Sequence, residues 1–329
     1  MNINMIISQN VRGLKRHEKK DEFLRHLRRQ QTFAALLQET WLTGDEAVES
    51  EDYTLICSGL PSEKKSRRVS HEVAIALSSQ AMTVWGQSGM EIARVSSQVI
   101  SIRMMITDHQ KRENGLILIS AYDPIGADSD ETWTSFFEDY DAALKMCKIN
   151  DTILAGMDRN SSMETNDRNL CGPFGIPHTN GAGRIMHSFL SISGLTTTTT
   201  FFHKKSHGTW IHSRSKFSHQ LDHIITNRDK LCTVTDEGVT ESMIESDHRA
   251  LKCKFHMQLK LAKRPPPPPL RKLNLAKLQS QETSTEFCEK VTASIIKQQS
   301  NIMVSPTSTH TIQAEAIKND CPLNLRKSR

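Results

Sequence analysis

Short, continuously apolar runs, most ending in a polar island, constrain this chain more than any other feature. Ile3–Ile7, Phe33–Leu37, Val73–Leu77, Leu116–Ala121, Thr152–Ala155, Leu221–Ile225 and Ala250–Phe255 are each four to six residues long. Runs of that length, bounded by polar or turn residues, predict strands rather than helices. Several do not alternate with polar residues, as expected of strands covered on both faces. Helical spacing places Phe23, Leu24 and Leu27 on one stripe of Glu18–Arg29. The same spacing recurs for Trp133, Phe136, Phe137, Tyr140, Leu144 and Cys147 in Glu131–Lys148, and Gly183–Ile192 reads as a third helix after a glycine-rich turn. Many strands with few intervening helices predict an α/β sandwich rather than an alternating βαβ barrel. The threonine run Thr196–Thr200 reads as a β-branched strand.

Composition separates the front of the chain from its end. Pro265–Pro269 is a run of five prolines that no helix or strand can continue, and it predicts a stiff polyproline spacer. Residues 261–329 carry 11 Lys and Arg against 5 Asp and Glu, so the remaining 31 basic and 32 acidic residues leave the front nearly neutral. We expect a domain over residues 1–258 and a Pro-rich linker with a largely disordered basic tail over 259–329, within which Leu270–Leu278 and Phe287–Ile296 have helical character. A basic tail on a neutral domain fits a polyanionic partner, or solubility alone. Seven scattered cysteines, none in a C-x-x-C pair, argue against a disulfide framework or zinc knuckle and for a reducing compartment. The amino terminus is too short and polar for a signal peptide, and no apolar run reaches membrane length. These features predict a soluble intracellular protein, with cytosol and nucleus both open and no indication of oligomeric state.

Four polar islands carry the chemistry. Glu39 ends an apolar run, where a carboxylate either holds Mg²⁺ in a cleft or caps the next element. Asp158 and Asn160 stand two residues apart and project to one side of an extended chain, as a base and an amide sharing a substrate would, or as an ordinary turn would. Asp222 sits inside an apolar run and needs a partner to be buried, and a protonated His248 from Ser246-Asp247-His248 would serve. That pairing raises the imidazole pKa and orients the ring, in a catalytic or a purely structural role. Between two of the runs lies a basic stretch holding Lys204, Lys205, Trp210, Arg214 and Lys216. It reads as a hairpin over 203–219 that reaches nucleic-acid phosphates, or as a solvated hairpin.

Taken in order, these islands resemble the endonuclease/exonuclease/phosphatase superfamily over about residues 1–256. Asn10 in Gln-Asn-Val-Arg-Gly-Leu resembles the first-strand Asn, Gln38-Glu39-Thr40 the metal-binding Gln-Glu motif, and Tyr122-Asp123-Pro124 the Tyr-x-Pro motif. Asp158-Arg159-Asn160 is similar to the end of Gly-Asp-x-Asn, Thr209-Trp210 precedes Asp222-His223-Ile224 as in the family, and Ser246-Asp247-His248 matches the closing Ser-Asp-His. Cys171-Gly-Pro-Phe-Gly175 and Asn180-Gly-Ala-Gly-Arg184 resemble the endonuclease domain of non-LTR retrotransposons and the craniofacial development protein 2-like proteins derived from them, and Arg271–Leu278 resembles the linker toward a reverse transcriptase. The resemblance implies a four-layer α/β sandwich, two mixed sheets face to face and flanked by helices. It also implies a DNA endonuclease dependent on Mg²⁺, with Mn²⁺ as the alternative. Asp158, Asn160, His248, Asp222 and Tyr122 would be catalytic, and Glu39, Asn10 and Asp247 would serve the metal. A nucleic-acid-binding relic of the fold and a small-molecule or lipid phosphoesterase are the competing functions. Three positions depart from the pattern: Met157 stands where the family has Gly, Arg159 replaces an aromatic, and Ser70-His71-Glu72 replaces a Gly-Gly pair. A bulky Met157 beside the base bears on the placing of Asp158, and whether it impairs activity is left open by the sequence.

Overall fold

A computed structural model describes residues 3–42, 44, 47–50, 52–58, 72–107, 113–125, 128–160, 167, 170–176, 178–212, 214–259, 285, 286 and 288–293. In chain order its strands begin with β1 (Ile3–Asn10), β2 (Ala34–Gln38), β3 (Ala47–Glu49), β4 (Tyr53–Ser58), β5 (Val73–Ser78) and β6 (Glu91–Arg94). They continue with β7 (Val99–Thr107), β8 (Glu113–Tyr122), β9 (Thr152–Asp158), β10 (Leu195–Thr197) and β11 (Trp210–Ile211). The last are β12 (Ser218–His219), β13 (Asp222–Asn227), β14 (Val234–Thr240), β15 (Ala250–His256) and β16 (Gln258–Leu259). Four helices, α1 (His17–Arg29), α2 (Ser79–Gln87), α3 (Asp130–Leu144) and α4 (Gly181–Ile192), lie between them.

Two mixed sheets result. The first runs β14-β15-β1-β2-β5-β4-β3 and the second β10-β13-β9-β8-β7-β16, with β6 paired to β7. Apolar side chains from the two inner faces meet in a core that includes Ile6, Leu36, Ile75, Ile102, Leu118, Leu154, Ile224 and Phe255. Outside the first sheet, Phe23, Leu24 and Leu27 of α1 pack on Ile7, Leu37 and Leu55. Outside the second, Phe136 and Tyr140 of α3 and Met186 and Leu190 of α4 pack on Ile119, Ala155 and Met157. The architecture is therefore helix–sheet–sheet–helix. Central strands are covered on both sides, which is why their sequences are continuously apolar.

Local chemistry sets the helix ends. Ser78, Ser129 and Asn180 cap α2, α3 and α4 by accepting from the backbone N–H of Ala81, Thr132 and Gly183 at 3.2, 3.4 and 2.8 Å. The expected helix Glu131–Lys148 stops at Leu144, four residues early. Asp151 explains part of this: its carboxylate accepts from Lys148 N–H at 2.9 Å and Gly115 N–H at 2.6 Å and grips Arg103 Nε at 2.7 Å, pulling the chain into β9. The threonine run also departs from expectation, since only Thr196 and Thr197 extend the strand from Leu195. Thr198 and Thr199 instead turn their hydroxyls to the buried carboxylate of Glu237 on β14. Gly172 lies against this turn, and a Cβ there would stand 2.2 Å from Thr200 O.

Residues 1–262 form one compact unit and 263–329 a second. In the second, residues 285, 286 and 288–293 are helical, with Lys290 paired to Glu286 at 2.8 Å one turn away. The polyproline run, Leu270–Leu278 and most of the expected tail lie outside the described residues, as do Ser70 and His71.

Candidate active site

Strand register gathers the polar islands at one end of the sandwich. Asn10 pairs with Gln38 across β1 and β2, Tyr122 with Asp158 across β8 and β9, and Asp222 with Asp158 across β13 and β9. Gln38 ties the sheets beneath this end: its side-chain NH₂ reaches Ser120 Oγ at 3.2 Å and Gly156 O at 3.0 Å on the opposite sheet. The sheets approach so closely there that a Cβ on Gly156 would stand 2.4 Å from Ser8 Oγ.

His248 lies between two carboxylates. Its Nδ1 is 3.0 Å from Asp222 Oδ2 and its Nε2 is 3.8 Å from Asp158 Oδ2. Burial alone would lower the imidazole pKa, but Asp222 and Asp158 outweigh it and raise it to about 10. Asp158 moves up to about 6, through burial and the neighbouring Asp222, against the pull of His248 and Asn10. At neutral pH a carboxylate at Asp158 therefore stands beside an imidazolium at His248.

Asn10 links this pair to Glu39. Its Nδ2 donates to Glu39 Oε1 at 2.9 Å and to Asp158 Oδ2 at 2.8 Å. Asn160 donates its backbone N–H to Asp158 Oδ1 at 3.2 Å. The Tyr122 phenol bonds to both Asn160 and Glu39, and burial followed by Asp158 and Glu39 pushes its pKa up. Arg12, Glu39, Trp41 and Asn160 all have positive φ, at 42°, 50°, 55° and 45°. Strained backbone of this kind gathers where side chains must be aimed. Gly13, at φ 89°, lets the Trp41 ring lie flush, since a Cβ would meet it at 2.3 Å.

The closing tripeptide is braced rather than free. Ser246 Oγ donates to Asn10 O at 2.9 Å and accepts from His248 N–H at 3.1 Å. Asp247 Oδ2 takes Arg12 Nη1 at 2.7 Å and Trp210 Nε1 at 3.0 Å. Its carboxylate is thus engaged with these two donors. The indole of Trp210 spends its N–H inside the site, 6.4 Å ring to ring from His248. Thr209 Oγ1 accepts from Leu221 N–H and Asp222 N–H, both at 3.0 Å, and so sets the start of β13.

The expected hairpin over 203–219 is shorter. Its paired part runs only from β11 to β12, and residues 203–209 form an irregular approach to it. The reason is that Lys204 leaves the hairpin for Asp236 on β14, with which it pairs. Lys205, Arg214 and Lys216 are exposed, and Phe217 at the hairpin end is 71% exposed. At Ser246 and Asp247 the site borders a cleft of roughly 760 Å³, lined also by Arg12, Lys15, Arg16, Lys19, Trp41 and Glu245. Basic density in Arg12–Lys20 was the available signal for it, beside the motif Asn and unused. A smaller cavity of about 430 Å³ at the opposite end of β1, by Ile3 and Tyr53, holds no site residue.

Met157 does not crowd Asp158. It is fully buried on the other face of β9, in the layer between the second sheet and the helices. Alternate residues of a strand face opposite ways, so the Met157 side chain points away from that of Asp158. Arg159 follows Met157 onto that hidden face and is 0% exposed, its Nε 3.8 Å from Asp123 Oδ2, itself 0% exposed. Burial pushes Asp123 well up and draws Arg159 down to about 10, each opposed by the other. A guanidinium keeps its charge at neutral pH, and the adjacent carboxylate is its counter-ion. His223, also on that face, is kept neutral by burial and then by Arg159.

Among the described residues, Asp158, Asp222 and His248 bring ligand atoms within 4.8 Å of one another, the spacing of a divalent-metal site. No protein-family model and no curated protein matches the chain. Solved structures do. The catalytic domain of Xenopus laevis APE2 superposes with TM-score 0.56 at 17% identity, over 80% of this chain and 95% of that one. The endonuclease domain of TRAS1, a telomere-specific non-LTR retrotransposon, gives 0.53 at 13% identity over 78% and 99%. The Neisseria 3′ phosphatase NExo, solved with a product DNA hairpin, gives 0.53 at 16% over 77% and 99%. The chain has the endonuclease/exonuclease/phosphatase fold, shared by nucleases and phosphatases. No described helix is long and apolar enough to cross a membrane.

Proposed function

We propose that this protein is a metal-dependent endonuclease that hydrolyses DNA phosphodiesters, of retrotransposon origin. The observation that carries the reading is the buried His248 held between Asp222 and Asp158, with Asn10 joining Asp158 to Glu39. A base, a cation and a carboxylate for a metal thus stand within one hydrogen-bonded group. The retrotransposon assignment rests on the Gly172 and Asn180 segments and on the fold shared with the TRAS1 domain.

Asp158 takes a proton from a water molecule as the water oxygen attacks phosphorus. Asn160 and Tyr122 orient that water and the phosphate. The phosphorus–oxygen bond to the leaving strand end breaks, and imidazolium N–H of His248 stabilises the charge gathering on the phosphate. Asp222 keeps that ring protonated and aimed. Bound Mg²⁺, or Mn²⁺, would polarise a phosphoryl oxygen and stabilise the leaving oxyanion. The chemistry of the donor set fits such a cation at Glu39 and Asn10. Asn10 Nδ2 stands between the Glu39 and Asp158 carboxylate oxygens, and Glu39 with the Asn10 amide would hold the cation through hard oxygen donors. His248 turns both ring nitrogens to carboxylates, Nδ1 to Asp222 and Nε2 to Asp158. Asp247, engaged by Arg12 and Trp210, acts through the loop it braces.

Arg12, Lys15, Arg16 and Lys19 give the DNA backbone a cationic track into this end, and Trp41 offers a face for a base. Lys205, Arg214 and Lys216 extend the cationic surface on the hairpin side. Met157 sits in the helix layer and leaves the Asp158 side chain unobstructed. The test is the full chain with supercoiled plasmid in Mg²⁺ and in EDTA. Nicking in Mg²⁺ alone supports the proposal. Turnover of a small phosphoester without nicking, or DNA binding without cleavage under any metal, overturns it.

A further inference from the structure

Behind the cleft, the ends of β8, β9 and β13 carry a second set of ionisable side chains. Asp123 follows Tyr122, Arg159 separates Asp158 from Asn160, and His223 follows Asp222. Strand alternation sends each of these to the helix side while its neighbour faces the cleft. Arg159, Asp123 and Tyr140 are all 0% exposed there. The guanidinium lies in the apolar layer with Met157, Cys171 and the α3 aromatics.

Stability alone does not account for charges in that layer. An ion pair without solvent is commonly matched or bettered by apolar side chains of similar volume. What distinguishes this pair is its backbone. Asp123 N–H donates to Asp158 O at 2.9 Å, and Asn160 Nδ2 donates back to Asp123 O at 3.0 Å. Arg159 N–H is held by Leu221 O at 3.0 Å, directly before Asp222. Asn160 meanwhile keeps a left-handed φ of 45°. The backbone that carries Asp158 and Asn160 is therefore tied to the strand end that carries Asp123, and the rear side chains Asp123 and Arg159 pair behind it.

We infer that Asp123 and Arg159 are positioning residues, their buried ion pair fixing the backbone that aims Asp158 and Asn160 into the cleft. The inference deepens the nuclease reading and rests on it for its catalytic consequence. It also explains why an Arg occupies a position where the resemblance has an aromatic: Asp123 supplies the matching charge.

The experiment compares the full-length parent protein with Arg159→Lys and with the double variant Arg159→Met/Asp123→Leu, which removes both charges and strands neither. Plasmid nicking is followed under saturating and limiting DNA, and hydrogen exchange is followed at residues 122, 123 and 158–160. The double variant should fold, with kcat reduced about tenfold to a hundredfold at unchanged KM, since small misplacements of reacting groups cost that much. Its Asn160 amide should exchange at least about tenfold faster, the mark of a loosened local structure. Arg159→Lys, keeping the charge, should stay within about threefold of the parent in kcat, far above the double variant. A purely structural brace would lower stability and leave kcat untouched in the folded fraction, and that result overturns the inference. So does an Arg159→Lys protein no better than the double variant, or, should the double variant not fold, one that falls more than about tenfold in kcat. If the parent itself cleaves nothing, the nuclease reading fails separately. The exchange data then decide, unchanged Asn160 protection in the folded double variant overturning positioning.

Discussion

The cleft face and the helix face of the second sheet use the same strand ends in opposite ways. On the cleft side, His248, Asp222, Asp158, Asn10 and Glu39 form a continuous chain of polar contacts, from 2.8 to 3.8 Å, that opens toward a cationic cleft. On the helix side, Arg159 and Asp123 stand 3.8 Å apart, fully buried in an apolar layer. One face keeps charges ready to change protonation, and the other keeps them fixed. A three-residue island such as Asp158-Arg159-Asn160 therefore belongs to two environments at once. Strand alternation, rather than residue type, decides which member joins the polar group around His248.

Substitutions on the cleft face give the largest effects and the clearest chance to break this distinction. Asp158→Asn and His248→Ala should each reduce nicking by about 10²–10⁴-fold while leaving DNA binding nearly intact, as measured by gel shift in EDTA. Comparable losses from Lys205→Ala would remove the distinction between chemistry and binding. On the helix face stability is lost as well as rate. Arg159→Met alone leaves Asp123 buried and unpaired, and urea unfolding should show about 3–5 kcal/mol lost, most of it recovered when Asp123→Leu is added.

The pH profile sharpens the comparison at smaller scale. Asp158 must be ionised, so nicking should rise as pH passes about 6; His248 must be protonated, so it should fall as pH passes about 10. Asp222→Asn removes a carboxylate that holds the imidazole pKa up, while burial still lowers it, so the alkaline limb should move to lower pH. The smallest effect belongs to the exposed cations. Replacing Lys205, Arg214 and Lys216 by Ala should flatten the dependence of log binding constant on log salt, by about 0.9 for each phosphate no longer neutralised.

Most of the cleft face was legible in the sequence because its residues interrupt or end apolar runs. Glu39 follows Phe33–Leu37, and Asp222 and His223 stand inside Leu221–Ile225. The direction of Met157 was not read, although it follows from counting alternate residues back from Asp158. Two strands with charges inside them, β7 and β14, were not legible. β7 carries Arg103, whose partner Asp151 lies 48 residues on, and β14 carries Glu237, whose threonine partners lie 38 and 39 residues before it. A buried charge looks like a loop until its distant partner is known. The Asp123–Arg159 pair was hidden in the same way, as was the use of Trp210 as a donor to Asp247, 37 residues away.

The central claim is that the cleft-face group of Asp158 and His248 hydrolyses DNA. Its most direct test is single-turnover nicking of supercoiled plasmid by the full chain and by Asp158→Asn, in Mg²⁺ enriched with H₂¹⁸O. The account predicts nicking by the parent with ¹⁸O in the new phosphate end, and at least about a hundredfold slower nicking by the variant. Equal rates for the two proteins, or cleavage that carries no ¹⁸O into the product, would contradict it.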